Sequence, residues 1–331
     1  MANLMSNPYS QRNWIGFATA ALFVLFPLFA NLVSQEYYVT FLTRVLIIGL
    51  AAIGLNIALG YSGMVSFGHS LYIGVGAYTV AIVSDFGISN AALHLIIALC
   101  AGAAISLVVG LVSLRTAGVS FIMITLAFAQ MFYYVVIGLK QYGGDDGISL
   151  PSRSTLGAIN LENNNVFYYL CLLIVTLALW GVYRISKSRF GSVIRGCKLN
   201  ERRMEALGFA TLRYKLLAYV ISAQVCVVAG FLLANLAKFS SPSYLQWSMS
   251  GELIVMVVLG GMGTVFGPLL GAISLLFLEE VLANFGLPLP FGISSFIKSH
   301  WMLLIGLFIV ITGLHVQHGL AGFINRGKRD V

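Results

Sequence analysis

The most regular feature of the chain is a series of long apolar runs separated by short polar stretches. A membrane helix needs about 17 to 25 mostly apolar residues to cross the hydrocarbon layer. On that criterion the predicted spans are residues 14–33, 39–59, 65–83, 91–114, 119–139, 166–185, 216–237, 252–262, 265–284 and 301–316. The run at 252–262 is short and rich in glycine, so we expect a broken or re-entrant helix there. The pattern predicts an all-α, polytopic membrane protein with about ten transmembrane helices, some of them broken by glycine.

The composition agrees with a membrane protein and excludes a water-soluble one. Hydrophobic residues make up 59% of the chain and charged residues 9%. The mean hydropathy of +0.92 lies far above that of soluble domains. No linker rich in proline or serine separates a soluble unit, so residues 1–331 are predicted to form a single transmembrane domain. The first run is too long for the apolar core of a signal peptide, and we expect it to remain as an uncleaved anchor.

The positions of lysine and arginine predict the orientation of the chain. Short loops on the cytoplasmic side of a membrane protein carry an excess of these residues. If both termini are cytoplasmic, fourteen of the nineteen basic residues fall on the inner side, nine of them in the single loop 184–215. An even number of crossings is therefore expected. The net charge of +8 is then explained by topology anchors that face anionic lipid, and no nucleic-acid partner is expected.

Groups that could carry chemistry or couple transport to protons are sparse. Carriers driven by ions commonly keep ionisable groups in the middle of the membrane, whereas Arg44, Glu252, Glu279 and Glu280 are placed near the ends of predicted spans. The glycine run that starts at Gly260 lacks the Gly-Lys-Ser or Gly-Lys-Thr of a nucleotide-binding loop. We therefore expect a chain that is not an enzyme, holds no metal or cofactor, and receives its energy from elsewhere.

Glycine and small polar residues concentrate in two segments, one in each half of the chain. The members that we single out are Asn56, Gly60, Tyr61, Ser62, Gly63, Ser66, Gly68 and His69 in the first segment, and Gly260, Gly261 and Gly263 in the second. Glycine-interrupted helices in both halves are typical of a translocation path at the interface between structural repeats. Close packing between helices explains the same spacing. The polar side chains could line a wet path or join neighbouring helices, and the spacing is consistent with both.

The basic loop 184–215 contains the signals of a short helix. Asn200 is a suitable N-cap, Glu201 suits the first turn, and Gly208 can end the helix. The residues that such a helix would offer to a partner are Met204, Ala206 and Leu207. A loop that is merely solvated would not need these signals.

Three motifs follow one another along the chain. The first is Leu55-Asn56 through Gly60-Tyr61-Ser62-Gly63, followed by Ser66-Phe67-Gly68-His69 and Gly76-Ala77-Tyr78. The second is Asn200-Glu201 with Glu205-Ala206-Leu207-Gly208 and Tyr214-Lys215-Leu216. The third is Leu259-Gly260-Gly261-Met262-Gly263-Thr264 with Gly267-Pro268 and Gly271-Ala272. In this order the motifs resemble the membrane-spanning permease subunits of ABC importers for branched-chain amino acids.

The resemblance covers about residues 47–81 and 195–283, and more coarsely the whole pattern of spans. It implies a permease subunit of an ATP-driven importer for branched-chain or related amino acids in the bacterial plasma (inner) membrane. The partners that it implies are a second homologous permease, two cytoplasmic ATPase subunits, which would bind the ATP, and an extracytoplasmic solute-binding protein. One departure is Arg203-Met204 before Glu205, where small residues are more usual in the family.

The resemblance also implies residue roles. The residues that it assigns to coupling with the ATPase are Arg195, Asn200, Glu201, Glu205, Ala206, Leu207 and Gly208. The two glycine segments would line or gate the translocation path. The alternative is a stand-alone channel or secondary carrier for small polar solutes, in which the basic loop only anchors the topology.

Overall fold

The computed structural model describes residues 36–155, 161–283, 300–315 and 319–320, and helices fill most of them. Numbered in chain order, the helices are α1 Glu36–Asn56, α2 His69–Asp85, α3 Ala91–Ser113, α4 Val119–Gly138, α5 Asn164–Lys187, α6 Arg189–Leu199, α7 Glu201–Ala206, α8 Thr211–Ala237, α9 Trp247–Gly260, α10 Gly267–Ala283 and α11 Trp301–His315. A π-helical segment, Ile57–Tyr61, continues α1. The predicted span 14–33 lies outside the described residues.

Within the described residues, five helices are long and apolar enough to cross a membrane. They are α1 with its π-helical extension, α3, α4, α5 and α8. The helices α9 and α11 are also apolar but shorter. The chain is therefore an all-α, multi-pass membrane protein, as the hydropathy pattern predicts. The number of ten crossings stays a prediction.

Two helices form the centre of the bundle. In the most apolar stretch of α1, 89% of the residues are buried, and the corresponding share for α8 is 61%. The helix α8 packs against α1, α2 and α3, while α1 also packs against α5, α9 and α10. By contrast, only 17% of the apolar stretch of α4 is buried, and its exposed apolar side chains match a surface that faces lipid.

The α9–α10 hairpin corrects two predicted spans. The sequence predicts helices at 252–262 and 265–284, but α9 begins at Trp247 and ends at Gly260, and α10 begins at Gly267. Fourteen residues of α9 rise about 21 Å, which is less than the hydrocarbon thickness of about 30 Å. Glu252 therefore lies in the second turn of α9 and not at its start.

The prediction of a span at 65–83 is also wrong at its start. The helix α2 begins at His69, because residues 62–68 form a turn in which Gly63 has a φ of +73°. A hydropathy profile does not detect such a turn, because Met64, Val65 and Phe67 keep the segment apolar. The other predicted spans within the described residues differ from the observed helices by up to five residues at either end.

The connection between α4 and α5 contains a small sheet that the all-α prediction omits. The strand β1, Ile148–Ser149, pairs antiparallel with β2, Phe239–Ser240, which follows α8. Nearby, the buried Arg153 guanidinium donates hydrogen bonds to the carbonyls of Asn235, Leu161 and Glu162. A hydrogen bond from Lys238 holds the pKa of the Glu162 carboxyl below its usual range. This end of the bundle is therefore closed by a well-connected loop.

Candidate functional site

The first and third motifs meet where α1 changes to a π-helix. Such segments are uncommon and occur frequently at functional sites. All five residues of Ile57–Tyr61 are buried. The Ser62 hydroxyl donates to the Ile57 carbonyl at 3.0 Å, and this bond helps to close the turn that follows the π-helical segment.

Asn56 joins this segment to the turn between α9 and α10. Its side-chain amide donates to the Thr264 carbonyl at 2.8 Å, and its side-chain carbonyl accepts from the Gly263 N–H at 2.9 Å. Thr264 in turn accepts from the N–H of Gly267, the first residue of α10, at 3.1 Å. A buried asparagine that satisfies two backbone groups of another segment forms a specific link between them.

The backbones at this contact approach too closely for any side chain. A Cβ atom on Gly60 would lie 2.0 Å from Asn56 Oδ1 and 2.4 Å from the Gly263 nitrogen. A Cβ atom on Gly260 would lie 1.8 Å from the Gly267 carbonyl oxygen. Gly261 and Gly263 have φ values of +116° and +75°, which favour glycine. We refer to Asn56, the segment Ile57–Tyr61 and the turn 261–264 as the glycine junction.

A lysine from the basic loop reaches the glycine junction. Lys198, in the last turn of α6, donates from Nζ to the Gly60 carbonyl at 2.8 Å. Its aliphatic stem lies where a side chain on Gly63 would point, since a Cβ atom there would lie 2.9 Å from Lys198 Cγ. Sequence reasoning missed this residue, because Lys198 is one of nine basic residues in the loop and no local pattern distinguishes it.

The helix α6 was not predicted from the sequence. Arg195 fixes its position against the end of α5. Ser188 caps its first turn by accepting from the Gly191 N–H at 3.1 Å. The Arg195 guanidinium donates to the Ser186 carbonyl at 2.6 Å, in the last turn of α5. Because Arg195 bonds to the end of α5, it anchors α6 to that helix. Burial raises the pKa of the Cys197 thiol on the same helix.

The helix α7 has the caps that the sequence predicts. The Asn200 side chain accepts from the Arg203 N–H at 3.0 Å, and Gly208 follows the helix with a φ of +87°. Two contacts tie α7 to the start of α8: an ion pair between Lys215 and Glu201, and a hydrogen bond of 3.0 Å from Thr211 to Glu205. A displacement of α7 would therefore be passed directly to α8.

Exposed apolar side chains flank α7 along the chain. Leu199 is 87% exposed and Leu207 is 64% exposed, and Phe209, Ala206 and Gly208 are exposed as well. Met204 is half-buried and packs on Gly196, so it contributes less to this surface than the sequence suggests. Leu199 and Phe209 were not predicted, since they lie outside the short helix. Several exposed apolar side chains on a charged loop are typical of a docking surface.

The remaining residues of the first motif belong to a different cluster. His69 Nε2 lies 2.8 Å from Ser222 Oγ, and Ser222 donates to the Gly54 carbonyl at 2.6 Å. Ser66 accepts from the Gly68 N–H, and all of these side chains are fully buried. The cluster thus joins α1, α2 and α8 by hydrogen bonds between helices. The structure brings Asn56, Gly60, Gly63, Gly261 and Gly263 together, and it places Ser66, Gly68 and His69 apart from them.

Comparisons with known proteins agree with this architecture. The family model described as "Branched-chain amino acid transport system / permease component" matches residues 37–313. The chain is 28% identical over 267 residues to the high-affinity branched-chain amino acid transport system permease protein LivM of Escherichia coli, and 27% identical over 267 residues to that of Salmonella typhimurium. Each match covers 73% of this chain and 63% of the relative, so the chain spans less than two thirds of their length.

A third relative is matched over more of its length. The probable branched-chain amino acid transport permease protein LivM of Methanocaldococcus jannaschii is 22% identical over 312 residues, which cover 82% of this chain and 89% of the relative. No solved structure was found to match the chain. Because the family model covers most of the chain and all three motifs, this protein belongs to the permease component family of branched-chain amino acid transport systems, whose members are transport subunits and not enzymes.

Proposed function

We propose that the chain is one permease subunit of an ATP-driven importer for branched-chain or related amino acids. In this proposal it spans the bacterial inner membrane about ten times, with both termini and the loop 184–215 in the cytoplasm. It pairs with a second homologous permease, two cytoplasmic ATPase subunits and an extracytoplasmic solute-binding protein. The ATPases bind and hydrolyse the ATP, and this chain itself needs no cofactor.

The observation that carries the proposal is the bond between Lys198 and the Gly60 carbonyl. It connects the basic loop to the one place where α1, the most buried long helix, leaves α-helical geometry. Asn56 continues the connection to the α9–α10 turn. A movement of the loop is therefore passed to both glycine motifs through polar contacts that have defined geometry.

The exposed surface of α7 suits a protein partner. The patch formed by Leu199, Leu207 and Phe209 has no covering residue in the described part of the chain, and burial of such side chains in a cleft would stabilise a complex. The arginines at 202 and 203 are exposed beside it and would set the orientation. We assign this patch to the ATPase, which closes on ATP and displaces α7, α6 and the start of α8 together.

In a purified complex reconstituted into proteoliposomes, Lys198→Met should lower transport more than it lowers ATP hydrolysis. The substitution keeps most of the stem but removes the charged donor, so a carbonyl in a tight π-helical segment loses its hydrogen bond. We expect uptake per ATP hydrolysed to fall by about tenfold. Lys140→Met is the matched control, because Lys140 is exposed at the opposite end of the bundle.

Two results would contradict the proposal. Unchanged stoichiometry in Lys198→Met would show that the bond to Gly60 does not transmit movement. Uptake down a gradient by the reconstituted chain without any ATPase would favour the stand-alone carrier instead. The first result is measured in the complete complex and the second in the chain without the ATPase. A failure of the Lys198 contact is therefore distinguished from a failure of the importer assignment.

A further inference from the structure

The last turns of α5 and the start of α6 enclose a cavity of about 640 Å³. This volume lies within the range of about 300 to 1,000 Å³ that is usual for sites of small molecules. The residues that line the cavity are Tyr183, Arg184, Ile185, Lys187, Ser188 and Phe190. Two of them are basic and two are aromatic, and both basic side chains are exposed. We refer to this cavity as the basic cavity.

Positive charge surrounds the basic cavity without a compensating carboxylate. In the part of the chain that the structure describes, Arg184, Lys187 and Arg189 form no ion pair. No aspartate or glutamate occurs from residue 163 to residue 200. The next acidic residue, Glu201, already has an ion-pair partner. The local potential therefore favours an anionic ligand.

Aromatic rings hold two of these cations at the cavity. Lys187 Nζ donates to the Tyr183 hydroxyl at 2.6 Å and lies 4.5 Å from the centre of the same ring. The Arg184 guanidinium lies 5.9 Å from the centre of the Trp180 ring, and it donates no hydrogen bond to any other described residue. A lysine has three N–H donors and an arginine five. Several donors thus remain for the oxygens of a phosphate group.

The first turn of α6 adds backbone donors to these side chains. Ser188 accepts from the Gly191 N–H, whereas the N–H groups of Arg189 and Phe190 have no acceptor among the described residues. Free N–H groups and the partial positive charge at the start of a helix bind phosphate. The basic cavity therefore combines two cationic side chains with a helix end of the same polarity.

An exposed apolar stripe on α5 leads to the basic cavity. Leu173 and Leu177 are each 57% exposed, and Trp180 is 62% exposed. They follow one another at intervals of four and three residues, so they share one face of the helix with Arg184, four residues further on. From Leu173 to Arg184 the helix rises about 17 Å, slightly more than half of the hydrocarbon thickness of about 30 Å. Acyl chains would cover such a stripe, whereas a free phosphate would not.

We propose that the basic cavity binds the phosphate headgroup of an anionic phospholipid, whose acyl chains lie along Leu173, Leu177 and Trp180. The Arg184 guanidinium offers two parallel N–H donors to the phosphate, and Lys187 adds a point charge. A zwitterionic lipid binds less well, because its ammonium group would meet cations and no carboxylate. In the proposed orientation this lipid comes from the inner leaflet. The binding itself requires neither the proposed function nor the proposed orientation.

Fluorescence quenching by brominated lipids tests both the site and the lipid class. The full chain is reconstituted into vesicles with equal amounts of phosphatidylglycerol and phosphatidylcholine, and the acyl chains of one lipid or the other carry bromine. The chain has four tryptophans, so the signal of Trp180 is isolated by subtraction of the spectrum of Trp180→Phe. We expect brominated phosphatidylglycerol to quench Trp180 at least about twofold more strongly than brominated phosphatidylcholine.

Charge variants test the role of the two cations. Arg184→Gln combined with Lys187→Gln should abolish the preference for phosphatidylglycerol. Arg184→Lys combined with Lys187→Arg keeps both charges and should keep most of the preference. Arg202→Gln combined with Arg203→Gln is the matched control, because it removes two charges from the same loop at exposed positions that do not line the cavity. The quenching of this control should equal that of the wild type.

Equal quenching of wild-type Trp180 by the two brominated lipids would overturn the inference. A preference that survives the Arg184 and Lys187 glutamine pair, or that disappears in the Arg202 and Arg203 pair, would overturn it too, since the charge of the whole loop would then attract the lipid. Loss of the preference in the charge-retaining pair would show that packing and not charge sets it.

The same measurement on the complex purified with its partner subunits is the last test. We expect the preference to persist there. Its disappearance would overturn the inference, because a protein partner and not a lipid would then fill the cavity. These measurements need neither ATP nor a transported solute, so a failure of the proposed function would not change their outcome.

Discussion

Individual glycines determine how closely the segments of this protein approach. Gly60 has the backbone of another segment where its side chain would be, so the smallest substituent collides with Asn56 Oδ1 and the Gly263 nitrogen. The sequence indicates that glycine is needed in this region, since the motif is dense in glycine. The sequence does not indicate which atoms leave no room for a side chain at Gly60. Gly263 is distant along the chain, and its position depends on the packing of α9 and α10.

Gly60→Ala should destabilise the glycine junction and impair transport. Overpacking of a tight site typically costs about 1 to 3 kcal/mol, and here the neighbouring atoms include backbone that cannot rotate away. Gly181→Ala is the matched control: it lies within α5 and has nothing within 4 Å of the added Cβ. Thermal unfolding of the purified chain should show a lower midpoint for Gly60→Ala only.

In the control, alanine replaces glycine in a helix, which by itself favours the helix by up to about 1 kcal/mol. A midpoint for Gly60→Ala equal to that of Gly181→Ala would mean that the junction relaxes without cost. That result would also argue against the proposal that the glycine junction transmits movement.

At the level of elements, capping decides where the short helix α7 begins and ends. Its six residues could not form a stable helix alone, because isolated helices shorter than about 12 residues are marginal in water. The Asn200 cap, the Lys215–Glu201 ion pair and the Thr211–Glu205 bond hold it in place. The cap was predictable from sequence, while the two contacts with α8 depend on how the chain folds back.

Asn200→Ala should loosen α7 without unfolding the bundle. Loss of an N-cap costs about 1 kcal/mol, and α7 is exposed, so the membrane helices should keep their stability. We expect weaker recovery of the ATPase with the permease and lower uptake, whereas Asn200→Asp, which can also cap, should restore both. Co-purification at defined protein ratios measures the first effect. Equal loss in the Ala and Asp variants would show that the cap is irrelevant to docking.

Elements also differ from their predicted bounds for a physical reason. The helix α9 extends back to Trp247 through Ser248 and Ser250, because backbone hydrogen bonds continue through polar residues that hydropathy ignores. As a result, Glu252 lies in the second turn of a helix, whereas the hydropathy pattern places it at the start of a span.

At the scale of the whole molecule, the distribution of basic residues orients the bundle. Nine of the nineteen lie in residues 184–215, from the last turn of α5 to the start of α8, and the positive-inside bias would place this segment in the cytoplasm. The loop with β1 and Arg153 would then lie outside, where a solute-binding protein could reach it.

Thiol labelling should confirm this orientation. Arg202→Cys and Lys140→Cys both place a thiol at an exposed polar position, at opposite ends of the bundle. An impermeant maleimide should modify Lys140→Cys in intact cells and Arg202→Cys only in inverted vesicles. The reverse pattern would place the α7 surface outside and rule out a cytoplasmic ATPase as its partner.

The sequence by itself determined the class of the protein, most of its long helices, the caps of α7 and the glycine-rich segments. These properties are local: apolar length, side-chain caps and positive φ values depend on residues close together in the chain. Only the tertiary structure decided that Asn56 bonds to Thr264, 208 residues away, and that Lys198 reaches Gly60, 138 residues away. Such contacts follow from which helices pack side by side, and every long apolar helix offers several partners that hydrophobicity alone cannot distinguish.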